Sequence, residues 1–513
     1  MIKKNIRHLY KNCYFLFLIY YLLFILYMES IENQYKILIR DKKGCFLLSP
    51  FKSKTDKKFH LEECSQITTS KNYLCIINNG LLSLYSTKDL SLIKNFDELE
   101  LVAAVDFSPS ENYLSIIQKP TVGNENLKIY NISNNSDIKL YSNFHSTTHP
   151  KTEWPQISYS KNDEIIFFHS KTNIEIYDNS KNLISKLENI IAYEIAEYIN
   201  ENNEKENLIL VGKVIQKNDK GKKLCYFSVY NIKDTNKPIK EIETSLTDRM
   251  KLKISPDNKY ILVNAINDNT SNKSYYGQSN LYYYDLKTMK FTKFNLPEGP
   301  IHDFCWLPNG ENFIIIAGHL PSKTSFYDKN GSYIKEIVVG KFNNIKISPD
   351  SRILALCGFG SLNGDIEFYN LNNFELIGKT NFFCCVNFEW SQDSKFILGA
   401  VLSTRVKVDN EYRILKYNGE EVIVDKEIGE IYDCVWIYDT NLKYESFNIE
   451  KNVKSLEEKK KSGIQLKTLG KIDFNNNKSN RVDDVYNGGI VGLGKKKKKK
   501  KKGKGGEGND GQG

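Results

Sequence analysis

Few residues of this chain could do chemistry, and they do not form a recognisable catalytic arrangement. Gly358, Gly360 and Gly364 lie in the run GFGSLNG, whose spacing matches neither nucleotide-binding fingerprint. The flanking pattern predicts two strands instead of a strand and a helix, so we predict a hairpin. Of the seven histidines, only His145 and His149 are spaced like metal ligands, and they lie in a predicted loop. No nucleophile motif is present, and the sequence predicts neither an enzyme nor a bound cofactor or metal.

The elements around this glycine run form a repeating unit, residues 345–371. A short alternating strand is followed by the corner Ser348-Pro349-Asp350, where proline presets φ and the aspartate can accept from nearby backbone. An apolar run, the hairpin and a last alternating strand ending at Tyr369 complete the unit. Four short strands cannot bury their own faces, so the unit must stack on copies of itself.

Two markers show that the unit is repeated along the chain. The strand-ending pattern apolar-x-apolar-Tyr-Asp/Asn, or a close relative, recurs at intervals of 42 to 54 residues, at Tyr85, Tyr130, Tyr177, Tyr230, Tyr284, Tyr327, Tyr369 and Tyr417. Corners that resemble Ser-Pro-Asp recur in the same phase, at Ser108, Ser160, Ser255, Leu307, Ser348 and Ser391. This period predicts an all-β, WD40-like β-propeller. Residues 35–50 and 431–438 can form one shared closing blade, which predicts nine blades, with eight as the alternative.

The chain divides into three parts. We assign residues 1–27 to a hydrophobic N-terminal extension, 28–446 to the propeller, and 447–513 to a disordered Lys/Gly-rich tail. Residues 13–28 are uncharged and follow four cations, so they could form a signal peptide, a membrane anchor, or an upstream extension preceding a start at Met28. The scattered cysteines indicate buried reduced thiols, with Cys357, Cys384 and Cys385 in apolar strand patterns. Reduced thiols favour the third interpretation and a cytoplasmic location.

The net charge of +10 is unevenly placed. Residues 28–446 carry 50 Lys/Arg against 54 Asp/Glu, whereas residues 447–513 carry 18 against 8. The propeller as a whole is therefore slightly acidic. Attraction to nucleic acid must come from local patches or from the tail.

Four runs in the second half of the chain carry a family resemblance. They are Ser274-Tyr275-Tyr276-Gly277-Gln278-x-x-Leu281-Tyr282, Gly299-Pro300-Ile301-His302-Asp303-x-x-Trp306-x-Pro308, Gly358-Phe359-Gly360-x-Leu362-x-Gly364-x-Ile366-Glu367, and Thr404-Arg405-Val406-Lys407-Val408-Asp409-Asn410-x-Tyr412-Arg413-Ile414. In this order and spacing, the chain resembles the eukaryotic translation initiation factor 2A family. The resemblance is dense from residue 252 to residue 436 and thin before residue 151. Family members begin a few residues before the first strand, which supports a start at Met28.

The resemblance implies a nine-bladed propeller that associates with the small ribosomal subunit and with initiator or other tRNA, without catalysis of its own. It also implies contacts with mRNA and other initiation factors, and no membrane if translation starts at Met28. The family's C-terminal region is longer and ends in charged helical segments, whereas this tail ends in oligolysine and glycine. The resemblance therefore does not imply, for this chain, the functions that the family assigns to those helices.

Two groups of cations are the candidate RNA contacts. Arg405, Lys407 and Arg413 have the spacing that places side chains on one face of a regular strand. The second group is the oligolysine of the tail, Lys495, Lys496, Lys497, Lys498, Lys499, Lys500, Lys501, Lys502 and Lys504. The structural alternative for the first group is a solvated outer face. For the whole chain the alternatives are a WD40-type protein scaffold like the initiation factor 3 b-subunit, or a membrane-anchored propeller.

Overall fold

The computed structural model describes residues 35–51, 59–119, 126–133, 136–142, 157–170, 172–180, 182–199, 205–217, 223–267, 278–437 and 447–457. These residues form 36 strands and one short helical turn at 453–457. The strands are β1 (Lys36–Asp41), β2 (Gly44–Leu48), β3 (Phe59–Glu62), β4 (Gln66–Thr69), β5 (Tyr73–Asn78), β6 (Leu81–Ser86), β7 (Leu92–Asn95), β8 (Val102–Phe107), β9 (Tyr113–Gln118), β10 (Leu127–Asn131), β11 (Ser136–Ser142), β12 (Ile157–Tyr159), β13 (Ile165–Ser170), β14 (Asn173–Asp178), β15 (Leu183–Leu187), β16 (Ile190–Ile199), β17 (Lys205–Lys217), β18 (Lys223–Asn231), β19 (Lys240–Leu246), β20 (Arg249–Ile254), β21 (Tyr260–Asn267), β22 (Gln278–Asp285), β23 (Lys290–Lys293), β24 (Ile301–Trp306), β25 (Asn312–Ala317), β26 (Ser322–Asp328), β27 (Tyr333–Gly340), β28 (Asn344–Ile347), β29 (Ile353–Cys357), β30 (Asp365–Asn370), β31 (Glu375–Asn381), β32 (Asn387–Trp390), β33 (Phe396–Val401), β34 (Glu411–Lys416), β35 (Glu421–Asp425) and β36 (Ile431–Ile437).

The strands form nine four-stranded antiparallel sheets, which are the blades of a propeller. Blade 1 combines β36 with β1, β2 and β3, and blades 2 to 9 each take four consecutive strands, from β4–β7 to β32–β35. In blade 1, Ile37 lies opposite Trp436 and Arg40 opposite Asp433, so the C-terminal strand β36 completes the blade that the N-terminal strands β1 to β3 begin. The predicted count of nine blades and the predicted closure are both confirmed.

The hydrophobic core consists of nine layers, one between each pair of neighbouring blades. Strand β29 shows how one sequence supplies two layers. Ile353, Ala355 and Cys357 pack towards blade 9, whereas the alternate residues Leu354 and Leu356 pack towards blade 7. A strand buried on both faces reads as a continuous apolar run, which is why the alternation is lost in such strands.

The repeated tyrosine packs between blades, as predicted. Each of the eight marker tyrosines lies in, or packs against, the layer shared with the preceding blade. Tyr130 and Tyr284 are the most deeply buried of them. A ring at this position adds a large apolar area to the layer.

The Ser-Pro-Asp corners join the first and second strands of their blades and share one geometry. The serine hydroxyl accepts a hydrogen bond from the backbone N–H five residues later, as at Ser348 with Ile353. The fourth corner residue has a positive φ, as at Ser351. Neighbouring corners are also joined, since Asp350 N donates to Ser394 Oγ at 3.1 Å. The corners therefore connect successive blades as well as turning the chain.

The predicted boundary of the tail is corrected at its first residues. Residues 447–457 pack against the outer edge of blades 8 and 9, since Asn452 N donates to Ile377 O at 2.6 Å and Lys379 N donates to Ser455 Oγ at 3.1 Å. The extension 1–27, the oligolysine and residues 458–513 lie outside the described residues. Within the described part of the chain, no helix is long and apolar enough to cross a membrane.

Candidate functional site

The two faces of the propeller differ in what they present. In blades 2 to 9, the connection from second to third strand and the connection to the next blade emerge on one face, which we call the loop face. The corners lie on the opposite face, which we call the corner face. The loop face carries residues 358–364, 382–386 and 402–410, which include most of two runs of the family resemblance.

The run that begins at Gly299 holds the inner strands together. Asp303 on β24 accepts from Ile345 N at 2.9 Å and forms an ion pair with Lys253 at 3.4 Å, so one carboxylate joins the inner strands of blades 6, 7 and 8. Trp306 Nε1 donates to Lys253 O at 2.9 Å. His302 Nε2 bonds to Gly318 O, and burial lowers the pKa of this imidazole. Each of these side chains is engaged in contacts within the propeller.

Residues 358–364 form a connection between two antiparallel strands, as predicted. Gly358 N donates to Asp365 O and Gly364 N donates to Gly358 O, each at 2.8 Å. The side chain of Asn343 exchanges two hydrogen bonds of 2.9 Å with the backbone of Phe359. The loop is thus held by its own backbone and by the preceding connection.

The predicted placement of the three cations on one strand face is wrong for two of them. Strand β34 begins only at Glu411, and residues 402–410 form a loop. Asn410 holds this loop closed, because its amide donates to Val406 O at 2.7 Å and accepts from Ile431 N. Arg405 is exposed and donates to Gly360 O at 2.7 Å, while Lys407 is exposed and makes no hydrogen bond or ion pair with described residues.

Arg413 does lie on β34, but its guanidinium is engaged within the propeller. It is paired with Glu411 and with Glu421, the latter at 2.7 Å, and it donates to Asn381 O. Its Cζ lies 4.3 Å from the ring centroid of Phe382, and its side chain is 16% exposed. Arg413 therefore fixes the positions of the loop-face residues around it and is not free to bind phosphate.

The loop face also exposes apolar side chains that the sequence did not single out. Phe383 is 63% exposed and Val408 is 65% exposed, and both line a cavity of about 320 Å³. Arg405 and Lys407 alternate with Val406 and Val408 along the loop. We call Phe383, Arg405, Lys407 and Val408 the loop patch.

The exposure of Phe383 to solvent could be predicted only with knowledge of where the flanking strands end and begin. The run NFFCC reads as an apolar strand, and Cys384 and Cys385 were assigned to one, but β31 ends at Asn381 and β32 begins at Asn387. Phe382 and Cys385 turn into the core, and Cys384 has a φ of 57°. The loop conformation leaves the Phe383 ring in solvent.

The inner strands carry buried charges that face neighbouring blades. Burial raises the pKa of Glu194 on β16 to about 7, and the nearby Lys253 ammonium opposes that rise. Lys253 Nζ donates to Phe304 O at 2.6 Å. Burial also raises the pKa of Asp106 and Glu389, on the inner strands of blades 3 and 9.

No group of three or more His, Cys, Asp or Glu side chains in the described ranges is arranged to hold a metal ion. His145 and His149 lie outside these ranges. What the described residues offer is a solvent-facing surface with an aromatic ring and two cations, which suits binding.

The fold defines the class: a nine-bladed β-propeller, with exposed aromatic, aliphatic and cationic side chains on its loop face. Residues 243–434 match the family model described as eukaryotic translation initiation factor eIF2A. The chain is 28% identical over 348 residues to eukaryotic translation initiation factor 2A of Dictyostelium discoideum, covering 65% of this chain and 54% of that protein. It is 34% identical over 207 residues to the Saccharomyces cerevisiae protein of the same name, covering 38% of this chain and 32% of that protein. The chain belongs to the eukaryotic translation initiation factor 2A family.

The relatives are longer than the matched part of this chain. The alignments to the first three relatives span less than two thirds of each relative's length. A solved structure titled "Crystal structure of the eukaryotic initiation factor" superposes with a TM-score of 0.67 at 23% identity, covering 79% of this chain and 98% of that one. At this identity the superposition supports the propeller fold alone.

Proposed function

We propose that this chain acts in translation initiation by binding the small ribosomal subunit and initiator or other tRNA in the cytoplasm, without catalysis of its own. One observation carries the proposal: the family match at residues 243–434 includes every residue of the loop patch. Contacts with mRNA and other initiation factors belong to the same proposal. The loop that carries Arg405 and Lys407 is exposed, which favours this function over a scaffold that binds protein only.

The loop patch has the chemistry that unpaired RNA requires. An exposed aromatic ring such as Phe383 can stack on a base, and such stacking is worth about 1–3 kcal/mol per base. Arg405 and Lys407 can contact the phosphates on either side of that base. Arg413 serves as a positioning residue, because its guanidinium is already bonded within the propeller.

The oligolysine of the tail is proposed as a second, sequence-independent RNA contact. Lys495 to Lys502 and Lys504 place nine positive charges within ten residues, whereas the propeller part of the chain is slightly acidic. Neutralised phosphates release counterions, so such a segment attracts any RNA. The tail would hold the RNA nearby while the loop patch selects it.

Sedimentation with purified small ribosomal subunits tests the proposal. The full chain should sediment with the subunits, and a variant with Phe383→Ala, Arg405→Glu and Lys407→Glu should bind at least fivefold more weakly. The matched control is Lys233→Glu with Lys287→Glu, two exposed lysines in turns of the corner face. A full chain that stays in the supernatant would refute the proposal. If the two variants lose the same amount of binding to the subunits, the loop patch is not the site of contact.

A further inference from the structure

The outer edge of blade 8 holds an extended segment of the chain's own C-terminal region. We call residues 447–457 the strap. Its backbone bonds to the last strand of blade 8, where Asn452 N donates to Ile377 O, and Lys451 forms an ion pair of 2.8 Å with Glu375 on the same strand. The strap thus occupies a sheet edge that would otherwise be open.

The strap also contacts blade 9, so it lies in the groove between two blades. Phe447 packs against Tyr417 with ring centroids 4.7 Å apart and planes tilted by 37°, and Arg352 of blade 8 lies over the Phe447 ring with Cζ 4.5 Å from the centroid. Asn418 Nδ2 donates to Glu450 O. An aromatic anchor, an ion pair and hydrogen bonds to the strap backbone hold this peptide.

The groove between blades 6 and 7 has the same construction. In blade 9 the turn residue Gly419 has a φ of 77°, and a Cβ there would lie 2.6 Å from the Phe368 ring of blade 8. In blade 7 the turn residue Gly331 has a φ of 85°, and a Cβ there would lie 3.4 Å from the Tyr283 ring of blade 6. Phe368 and Tyr283 each precede the marker tyrosine of their blade, so the two grooves correspond at these positions. The register shift that includes Ile377 in blade 8 has no counterpart in the regular pairing of β22 with β23.

Strand pairing identifies the residues that replace Glu375 and its neighbours. In blade 8, Glu375 pairs with Asn370, the residue after the marker tyrosine, and Glu367 pairs with Lys379. In blade 6, Lys290 pairs with Asp285 and Lys293 pairs with Tyr282. Lys290 therefore occupies in blade 6 the position that Glu375 occupies in blade 8. The groove between blades 6 and 7 has a positive charge at this position, where the groove that holds the strap has a negative one.

This second groove encloses a cavity of about 630 Å³. We call it the rim groove; its walls include Lys290, Lys293, Phe294, Lys323, Tyr327 and Tyr333. Lys323 is paired with Glu336 at 2.9 Å, but Lys290 and Lys293 are exposed and have no ion pair with any residue that the structure describes. Lys290 lies opposite Asp285, on the strand face that Tyr283 turns towards blade 7, and its exposed ammonium favours an anionic ligand.

We propose that the rim groove binds an extended acidic peptide of a partner protein, much as the groove between blades 8 and 9 holds the strap. A carboxylate of the peptide meets Lys290, as Lys451 meets Glu375. The peptide backbone bonds to the outer edge of β23, the last strand of its sheet. An aromatic side chain of the peptide packs beside the exposed ring of Tyr333, which is 53% exposed.

A peptide fits this groove better than RNA does. Tyr283 and Tyr327 are 7% and 6% exposed, so their faces are already packed and cannot stack on bases. The strap supplies a peptide precedent within the same molecule, with a backbone bond that a nucleic acid backbone cannot reproduce.

Fluorescence anisotropy with the full chain tests the proposal. The probe is a labelled peptide of the strap sequence, residues 447–457, with Lys451→Glu and Lys454→Glu. The full chain should bind it saturably, and the variant Lys290→Glu with Lys293→Glu should bind it at least tenfold more weakly. The same variant should bind the unmodified strap peptide more tightly than the parent chain does. The control is Lys240→Glu, an exposed lysine on the outer strand of blade 5, which should leave binding unchanged.

Three results would overturn the proposal. The first is no saturable binding of the acidic peptide to the full chain. The second is binding of the acidic peptide by the Lys290→Glu and Lys293→Glu variant as tightly as by the parent chain. The peptide would then bind at another site, such as the groove that holds the strap. The third is binding of a single-stranded decauridylate, but not of the peptide, in a manner that requires Lys290 and Lys293. Thermal unfolding of each variant shows whether the propeller remains intact.

Discussion

At the residue scale, charged side chains on the inner strands join consecutive blades. The Asp303 carboxylate bonds to the backbone of Ile345 and to Lys253, and Lys253 also donates to Phe304 O. A buried charge is stable only when such partners surround it. Glu194 is the exception, because burial favours its neutral form and Lys253 compensates only in part.

Glu194 makes stability depend on pH. Its pKa rises from an ordinary 4.5 to about 7 in the folded chain, so the folded state binds more protons than the unfolded state between these values. The free energy of unfolding should therefore fall as pH rises from about 4.5 to about 7. Glutamine cannot ionise, so Glu194→Gln should remove this pH dependence. The change in the free energy of unfolding caused by the substitution should be more favourable at pH 8 than at pH 4 by about 1–3 kcal/mol. Urea unfolding at both pH values measures the difference.

The matched control for this measurement is Glu188→Gln, a substitution at an exposed position shortly before the same strand. It should leave the pH dependence unchanged. If Glu194→Gln has the same effect on stability at both pH values, the carboxyl of Glu194 is not held neutral by burial.

At the scale of elements, the strap extends the propeller beyond its last blade. It contacts blade 8 through Ile377 O and Glu375, and blade 9 through Tyr417 and Asn418. The ordinary outer strand of a blade contacts its own sheet, whereas the strap fastens two sheets together. Its contacts are therefore expected to protect the edge of β31 from local opening.

Truncation of the strap's aromatic anchor tests this role. Phe447→Ala removes the contacts of the phenyl ring with Tyr417 and Arg352, leaves the hydrogen bond from Arg352 to Phe447 O, and should lower the free energy of unfolding by about 1–2 kcal/mol. It should also speed hydrogen exchange at Lys379, whose N–H donates to the strap. Val453→Ala is the control, because Val453 is 57% exposed on the same segment. Unchanged exchange at Lys379 in the Phe447 variant would mean that the strap is held without its anchor.

At the scale of the whole molecule, the ring is closed by pairing of β1 with β36, and the nine inter-blade layers follow one another without interruption. No blade can lose its packing without exposing two layers, so the described blades should unfold cooperatively.

The charge of the chain is unevenly distributed. Residues 28–446 are slightly acidic as a group, and the excess of lysine lies in residues 447–513.

Deletion of residues 495–504 tests the role of the oligolysine. Each phosphate neutralised on single-stranded RNA contributes about 0.7 to the salt slope, so losing nine lysines could flatten log K against log salt by as much as about 6. Thermal stability should hardly change. Binding to small ribosomal subunits at several salt concentrations provides the slopes, with a variant carrying glutamine at the nine lysine positions as the control of equal length. Superimposable slopes for the deletion and the full chain would show that the oligolysine makes no contact with RNA.

The sequence by itself determined the all-β class, the propeller, the nine blades and the closure of the ring. These features depend on local chemistry: the corner serine bonds to a backbone N–H five residues away, and the marker tyrosine recurs in blades 2 to 9. Such signals repeat, so each copy reinforces the others. The family could also be recognised, because its runs occur in order along the second half of the chain.

Only the tertiary structure decided which side chains of those runs face solvent. The spacing of Arg405, Lys407 and Arg413 suggested one strand face. The loop that carries the first two is instead closed by the bond from Ile431 N to Asn410, and Asn381 and Glu421 occupy the third. Phe383 is exposed, although Phe382 beside it is fully buried. The strap looked like the beginning of a disordered tail because its composition is polar, and its partners Ile377 and Tyr417 lie in other blades. Local patterns cannot encode these outcomes, since each depends on which surfaces the closed ring brings together.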